Sequence, residues 1–190
     1  MWKTIGRSVG VAAISCVLVS CSFSEETPTV REFQFKSGTL AIEEFSMDSV
    51  RGNVFDPCSE ISPEEYEAAG ITDVTPTESE YELEDIHSCD TDLHKVGQRL
   101  VIGAGPISEA GLKTRSENVL EYPESIVPGL FTYTNQLPGV CFAQVDTARG
   151  GLHVQMSANG SGTEDIDRCA IARETLENIY KTVNTDEEGE

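Results

Sequence analysis

Residues 139–156 read GVCFAQVDTARGGLHVQM, and this stretch decides the fold. Two runs within it, 140–145 and 152–156, are short and rich in β-branched, aromatic and alternating side chains, a pattern that predicts β-strands. Residues 149–151, Arg-Gly-Gly, lie between the runs and predict a hairpin turn, since glycine adopts the backbone angles of tight turns. The sequence therefore predicts an antiparallel strand pair here.

The flanking residues extend this pair into a larger unit. Residues 130–134 predict a third strand, and the Leu-Pro-Gly at 137–139 predicts the turn before the pair. Beyond the strands, apolar residues recur at spacings of three and four, the period of one helix face: Cys169, Ala172, Leu176, Ile179 and Val183. We predict a long amphipathic helix, capped by Ser161 or Thr163, whose apolar stripe covers the sheet.

A shorter helix is predicted to begin at Ser62. Its side chain can cap the helix, Pro63 suits the first helical position, and Glu65 completes a capping box. Gly70 then ends the helix after about two turns. A further strand pair is predicted at 81–86 and 99–102, whereas 103–128 show no clear element. Together these signals predict an α+β fold: a mostly antiparallel sheet with a short N-terminal and a long C-terminal helix on one face.

The first twenty residues are typical of a cleaved signal peptide. Lys3 and Arg7 precede an apolar run over 9–19 that is too short to span a bilayer. Leu18-Val19-Ser20-Cys21 resembles the lipobox of bacterial lipoproteins, in which the cysteine receives diacylglycerol and the peptide is cut before it. We therefore predict lipidation of Cys21 and attachment to the outer face of the cytoplasmic membrane. The alternative is an ordinary secretory peptide that leaves Cys21 free.

Four segments follow from these signals: a signal peptide (1–20), a lipidated cysteine with a flexible tether (21–31), one α+β domain (32–184) and an acidic, disordered tail (185–190). The whole chain has a formal charge of −20. Removal of Lys3 and Arg7 with the signal peptide makes the charge −22. Such a charge argues against nucleic acid as a partner, and it serves either solubility or the binding of cations or basic partners.

Outside the signal peptide and Cys21, the chain has four cysteines: Cys58, Cys89, Cys141 and Cys169. They predict two disulfide bonds, because an even number of cysteines in an exported domain usually pairs. A zinc site is the alternative, although zinc ligands commonly occur in closely spaced pairs. Of three connectivities we favour Cys141–Cys169, which joins the middle strand to the stripe of the long helix. Cys58 and Cys89 then form the second bond.

A family resemblance adds to this interpretation. Phe55-Asp56-Pro57-Cys58, then Ile61-Ser62-Pro63-Glu64-Glu65 and Ala68-Ala69-Gly70, resembles the opening signature of an actinobacterial lipoprotein family, domain of unknown function 3558. The order of the later cysteines and the closing helix are similar as well, so the resemblance covers about residues 53–183. It implies a lipid-anchored, disulfide-bonded domain of a Gram-positive envelope, and it implies no catalytic residues.

The densest group of potential metal ligands is His87, Cys89, Asp90, Asp92 and His94. In an extended chain Asp90, Asp92 and His94 point to one side and could bind a divalent cation. The alternative is a solvated polar edge or loop, which we favour, and we assign no cofactor.

Other catalytic patterns are equally incomplete. Gly160-Ser161-Gly162 lacks the first glycine of a hydrolase nucleophile turn, and His153 is expected on the sheet surface or rim. The leading hypothesis is a non-catalytic module that binds an envelope protein, a glycan or an apolar ligand. The alternative is an envelope or metal-dependent enzyme that uses the cluster from His87 to His94, or His153.

Overall fold

The computed structural model describes residues 31–77, 85–91, 98–115, 118–135, 138–158 and 165–185. The signal peptide, Cys21, the tether up to residue 30 and tail residues 186–190 lie outside the described residues. The fold is α+β, as predicted. Its elements are β1 (Glu32–Phe35), β2 (Gly38–Ala41), α1 (Met47–Val50), α2 (Pro57–Glu60), α3 (Pro63–Ala68), β3 (Thr75–Pro76), β4 (His87–Thr91), β5 (Gln98–Gly105), α4 (Glu109–Thr114), β6 (Asn118–Glu121), β7 (Phe131–Thr134), β8 (Val140–Thr147), β9 (Gly150–Ala158) and α5 (Arg168–Thr185).

Seven strands form one antiparallel sheet in the order β3-β4-β5-β9-β8-β7-β6. The hairpin of β8 and β9 lies at its centre, and its turn is shorter than predicted. Thr147 pairs with Gly150, so the two-residue turn is Ala148-Arg149 and both glycines belong to β9. Gly150 has φ +101°, and a Cβ there would lie 2.8 Å from the Gly105 carbonyl oxygen. Glycine is needed for this close approach rather than for the turn itself.

The strand predicted at 99–102 is present in β5, but its predicted partner is wrong. β5 pairs with β4, where Cys89 lies opposite Ile102. Asp85 and Ile86 lie outside any strand, and 81–84 lie outside the described residues. β4 was not predicted because its sequence is polar. Its fully buried inward side chain is that of Cys89 rather than a large apolar residue.

α5 packs on the sheet face that we call the inner face, across β8 and β9. The predicted stripe is confirmed: Ala172, Leu176, Ile179 and Val183 are all buried. The predicted caps are wrong, because α5 begins only at Arg168, and Ser161 and Thr163 lie too far upstream. Instead the Asp167 carboxylate accepts a hydrogen bond from the Ala170 N–H at 3.0 Å, so Asp167 occupies the capping position. Thr185, assigned to the tail, is the last residue of α5.

α3 has the predicted start and end. Ser62 and Glu65 form the capping box, and Gly70 follows with φ +80°. The buried Glu65 carboxylate also accepts the Lys36 N–H at 2.7 Å, which ties the β1–β2 turn to this helix. α3 packs against α5, so the two predicted helices share the inner face.

The opposite, outer face carries a helix that was not predicted. α4 places Leu112 against Phe131 and Tyr133, a small cluster separate from the main core. Since strand side chains alternate, these aromatic residues point away from the face that α5 covers. The unassigned segment 103–128 thus contains the end of β5, α4 and β6.

Both favoured disulfide bonds are present. Cys58 joins α2 to β4 with a Cα–Cα distance of 5.6 Å, and Cys141 joins β8 to α5 with a Cα–Cα distance of 5.2 Å. The sulfur atoms are bonded to one another, so these cysteines do not form the alternative zinc site. Among the helices of the described chain, none combines the length and apolar character needed to cross a bilayer.

Candidate functional site

A cleft of about 250 Å³ opens between α2, α3 and the loop after α3. We call it the α2–α3 cleft. Its lining residues are Cys58, Ile61, Pro63, Tyr66, Glu67, Ile71, Thr72, Asp73 and Val74. Its interior is mainly apolar, whereas two carboxylates (Glu67 and Asp73) and two hydroxyls (Tyr66 and Thr72) lie among the lining side chains. Such a mixture of apolar surface and a few polar groups is typical of a recognition site.

Covalent and hydrogen bonds fix the walls of the cleft. The Asp56 side chain caps α2 by accepting the Cys58 N–H at 3.0 Å, and the disulfide bond from Cys58 to Cys89 attaches α2 to the sheet. The Tyr66 hydroxyl of α3 donates to the Pro57 carbonyl at 2.8 Å. Burial and the nearby carboxylates raise the pKa of Tyr66 well above its usual value, so the hydroxyl keeps the proton that this bond requires.

Arg149, at the tip of the central hairpin, holds the segment before the cleft. Its guanidinium contacts the Glu60 carboxylate with both Nη atoms, at 2.5 and 2.8 Å. Its Nε donates to the Asn53 carbonyl at 3.1 Å, and its guanidinium carbon lies 5.5 Å from the centre of the Phe55 ring. The central strand pair therefore positions α2, and through it one wall of the cleft.

The rim of the cleft is negatively charged. Glu67 and Asp73 are both exposed, and Asp73 has a left-handed backbone with φ +54°, a conformation that Asp tolerates better than most residues. No lysine or arginine lines the cleft within the described chain. The arrangement suits an apolar group that carries a positive charge next to it.

Of the candidate metal ligands, the structure describes His87, Cys89 and Asp90, and it does not bring these three side chains together. His87 and Cys89 lie on one face of β4 and Asp90 lies on the other, because strand side chains alternate. Cys89 is in a disulfide bond, and Asp90 forms a bidentate ion pair with Arg99, whose hydrogen bonds lower the pKa of the carboxyl.

Asp92 and His94 lie outside the described residues. Within the described ranges, no three His, Cys, Asp or Glu side chains are placed to hold a metal ion.

His153 lies half-buried on the outer face of the sheet. Its ring meets Phe142 edge-on at 5.8 Å, and Nδ1 lies 3.4 Å from the Gly151 carbonyl oxygen. A Cβ added at Gly103 would lie 2.7 Å from its Nε2 atom. Burial lowers the pKa of His153 to about 4. The imidazole thus packs on the sheet as a neutral ring. Ser161, the serine of the incomplete nucleophile turn, lies outside the described residues.

Sequence reasoning missed the cleft itself. Ser62, Pro63 and Glu65 were recognised only as signals for the start of a helix, and the apolar Tyr66, Ile71 and Val74 follow no strand or helix period. The sequence did contain one indication of a cleft. Tyr66, Ile71 and Val74 lie in or just after a short, capped helix that follows Cys58.

Comparison of the chain with models of known families, with curated proteins and with solved structures finds no match. The resemblance to the actinobacterial lipoprotein family therefore stays a prediction.

Proposed function

We propose that the chain is a lipid-anchored, non-catalytic binding module at the outer face of the cytoplasmic membrane. The α2–α3 cleft would bind an apolar side chain of a partner protein that carries an adjacent lysine or arginine. The observation that carries this proposal is the combination of an open apolar cleft with the acidic rim formed by Glu67 and Asp73.

The size of the cleft favours a partner polypeptide over a small molecule. Ligand pockets commonly enclose about 300–1,000 Å³, and this cleft encloses about 250 Å³, enough for one or two large side chains. Its walls are held by the Cys58–Cys89 disulfide bond and by the hydrogen bond of Tyr66. A preformed cleft loses little conformational entropy on binding, which favours affinity.

The formal charge of −20 supports a basic partner, because charge complementarity raises the rate of association. The proposed anchor brings the module close to such partners. If Cys21 carries lipid, residues 22–30 reach about 30 Å at full extension. The cleft would then lie within a few nanometres of the membrane surface, where envelope proteins and glycans are concentrated.

The test is site-specific photocrosslinking in intact cells. A benzoylphenylalanine at the exposed Thr72 would report on the cleft, and the same residue at Met47 of α1, which is exposed but does not line the cleft, is the matched control. We expect a reproducible protein adduct from Thr72 alone. Glu67→Lys should reduce that adduct several-fold, whereas Glu174→Lys, an equal charge change on α5, should not.

Two results would contradict the proposal: the absence of any reproducible adduct from position 72, or an equal yield of adducts from the two crosslinker positions. The anchor is tested separately. Cys21→Ala should release the protein from the membrane and leave both disulfide bonds and the fold intact. A Cys21→Ala protein that fails to fold would show that the cysteines are wrongly assigned.

A further inference from the structure

The strand at one edge of the sheet has a side that no other described strand covers. β6 pairs only with β7 in the described part of the chain. The Tyr122 N–H donates to the Leu130 carbonyl at 3.0 Å, and hydrogen-bonded pairs alternate along an antiparallel ladder. Leu120 is therefore bonded to β7, whereas the N–H and C=O groups of Val119 and Glu121 point outward. These outward groups are a template for another strand.

This edge is also unusually apolar for an exposed strand. Four large apolar side chains are exposed in the described ranges, and two of them lie here: Leu120 on β6 is 59% exposed, and Ile126 in the following loop is 51% exposed. Val119, by contrast, packs with the α4 cluster on the outer face. The inner side of β6 thus presents apolar surface that the fold does not use.

A groove of about 480 Å³ runs along this apolar side, between β6, β7 and the start of α5. It arises because α5 lies over β8 and β9 and reaches only the near side of β7. Leu120 and Tyr122 line the groove on the β6 side, and Arg173 lines it on the α5 side, with its guanidinium 5.4 Å from the Tyr122 ring centre. Alternate side chains of an added strand would fall beside Leu120, at the open side of this groove.

We propose that the β6 edge binds an extended, basic segment of a partner polypeptide, which adds to the sheet as an antiparallel eighth strand. Strand addition takes its affinity from backbone hydrogen bonds and its specificity from pockets for alternate side chains. The outward backbone groups and the groove supply both. This surface is separate from the α2–α3 cleft, and the inference does not depend on the function proposed for that cleft.

Charge determines which occupant we choose. A second copy of the chain would bring another −20 to this edge, and like charges oppose association. An extended segment with lysine at every second position meets favourable charge instead. Residues opposite each other in an antiparallel pair share a face, so lysines opposite Val119 and Glu121 would lie on the outer face. There Lys113 contacts the carboxylates of both Glu109 and Glu121, at 2.8 and 2.6 Å, and two carboxylates with one ammonium group keep a net negative charge beside the added strand.

The probe is the capped peptide KVKVKVK, with binding followed by fluorescence anisotropy and by the backbone amide signals of the protein. In the proposed register the lysine N–H groups bond to β6 and the valine N–H groups point away. N-methylation of the two central lysine nitrogens should therefore weaken binding about tenfold or more, since it removes two backbone hydrogen bonds. N-methylation of two valine nitrogens should change affinity less than about threefold.

Two variants of the protein also test whether binding uses the outward backbone N–H groups of β6. Glu121→Pro removes an outward N–H that does not bond to β7, and proline is tolerated at such edge positions. Glu121→Ala is the matched control, because it loses the same carboxylate and keeps the N–H. We expect Glu121→Pro to weaken binding several-fold more than Glu121→Ala. Thr72→Trp, which fills the α2–α3 cleft, should leave peptide binding unchanged.

The proposal is overturned if the peptide shows no saturable binding up to about 1 mM, or if the two N-methylated peptides bind equally. It is also overturned if the amide signals of Val119 and Glu121 stay unchanged while others shift. Self-association of the chain that Glu121→Pro abolishes, without peptide binding, would identify a second copy as the occupant and refute the basic segment. A peptide that Thr72→Trp displaces would instead belong to the cleft.

Discussion

The ion pair between Arg149 and Glu60 joins the central hairpin to α2 beside the cleft, and its removal makes a quantitative prediction. The two residues lie 89 positions apart in sequence and are both about 30% exposed. Arg149→Met keeps the aliphatic part of the side chain and removes the guanidinium. We expect this variant to fold, with a lower free energy of unfolding and a less firmly held α2.

The magnitude follows from the contacts that disappear. Hydrogen bonds to charged groups contribute about 1.5–3 kcal/mol in total for such a pair, and partial exposure favours the lower end. The bond to the Asn53 carbonyl and the guanidinium over the Phe55 ring add about 1 kcal/mol together. Arg149→Met should therefore lower the free energy of unfolding by about 2.5 kcal/mol. Arg149→Lys keeps the charge without the planar fork and should lose about half as much.

A double-mutant cycle isolates the pair from its surroundings. Arg149→Met, Glu60→Gln and the double variant are compared by urea unfolding, with the same urea dependence required of each. We expect a coupling energy of about 1.5 kcal/mol. A coupling below about 0.5 kcal/mol, the size found for ordinary surface pairs, would refute the view that this pair positions the cleft.

The pH dependence of the same variants gives an independent check. Burial alone would raise the pKa of Glu60, but hydrogen bonds from Arg149 and the Asp56 N–H outweigh it and lower the pKa of the carboxyl. A carboxyl whose pKa is lower in the folded state adds stability above its unfolded pKa, and this stability is lost as the pH falls through the folded pKa. The stability difference between the native chain and Arg149→Met should therefore shrink below about pH 4.5.

Three further perturbations have defined outcomes. The pKa of His153 is about 4 in the folded state and about 6.5 in the unfolded state. The unfolded chain therefore binds a proton first as the pH falls, and His153 should lower the free energy of unfolding by about 2 kcal/mol between pH 6.5 and 4. Calorimetry of His153→Leu should show the loss of this contribution. Asn184 of α5 accepts one hydrogen bond from the β1 backbone and donates another to it, so Asn184→Ala should cost about 1–2 kcal/mol in urea unfolding; an unchanged midpoint would contradict these bonds. Replacing Cys141 and Cys169 together by serine should cost about 3 kcal/mol and lower the melting temperature, and peptide mapping that finds either cysteine bonded to another residue would refute the pairing.

Local periodicity accounts for the parts of the fold that could be predicted. The stripe that ends at Val183 repeats every three or four residues, which predicts a helix. The runs within 140–156 are short and apolar, which predicts strands, so each of these elements is predicted by its local sequence alone. Cys169 falls on the stripe and Cys141 falls on a strand beneath it. The pairing could be predicted because the predicted stripe faces the predicted strand, and not from the spacing of the cysteines.

The missed elements have no such local signal. α4 has six residues, with Gly111 within it and Leu112 as its buried side chain, so no helix stripe can develop. β6 has no fully buried side chain, because an edge strand is covered on at most one face. Short elements like these are stabilised mainly by contacts with distant parts of the chain.

The cleft could not be predicted for a related reason. It requires the disulfide bond from Cys58 to Cys89 and the contact of Arg149 with Glu60, which join segments 31 and 89 residues apart. The disulfide bond was predicted from the cysteines, whereas the ion pair leaves no pattern in the local sequence, so the position of α2 could not be derived. The candidate cluster from His87 to His94 was singled out for its density and because Asp90, Asp92 and His94 share one side of an extended chain. In β4 Asp90 lies on the opposite face from His87 and Cys89, and Asp92 and His94 lie outside the described residues.

The two proposed surfaces are far enough apart to be tested independently. Cys58 attaches the cleft to β4, and five strand steps separate β4 from β6. At about 4.8 Å per step the surfaces lie about 24 Å apart, too far for one short segment to contact both. Substitutions at such a distance have additive effects unless a partner bridges them.

A single partner domain that contacts both surfaces would bind the second one at high effective concentration. Glu121→Pro would then reduce crosslinking from position 72 in cells, although it alters no residue that lines the cleft. Separate partners would leave the adduct at position 72 unaffected by Glu121→Pro. The response of that one adduct therefore distinguishes a bivalent partner from two independent ones.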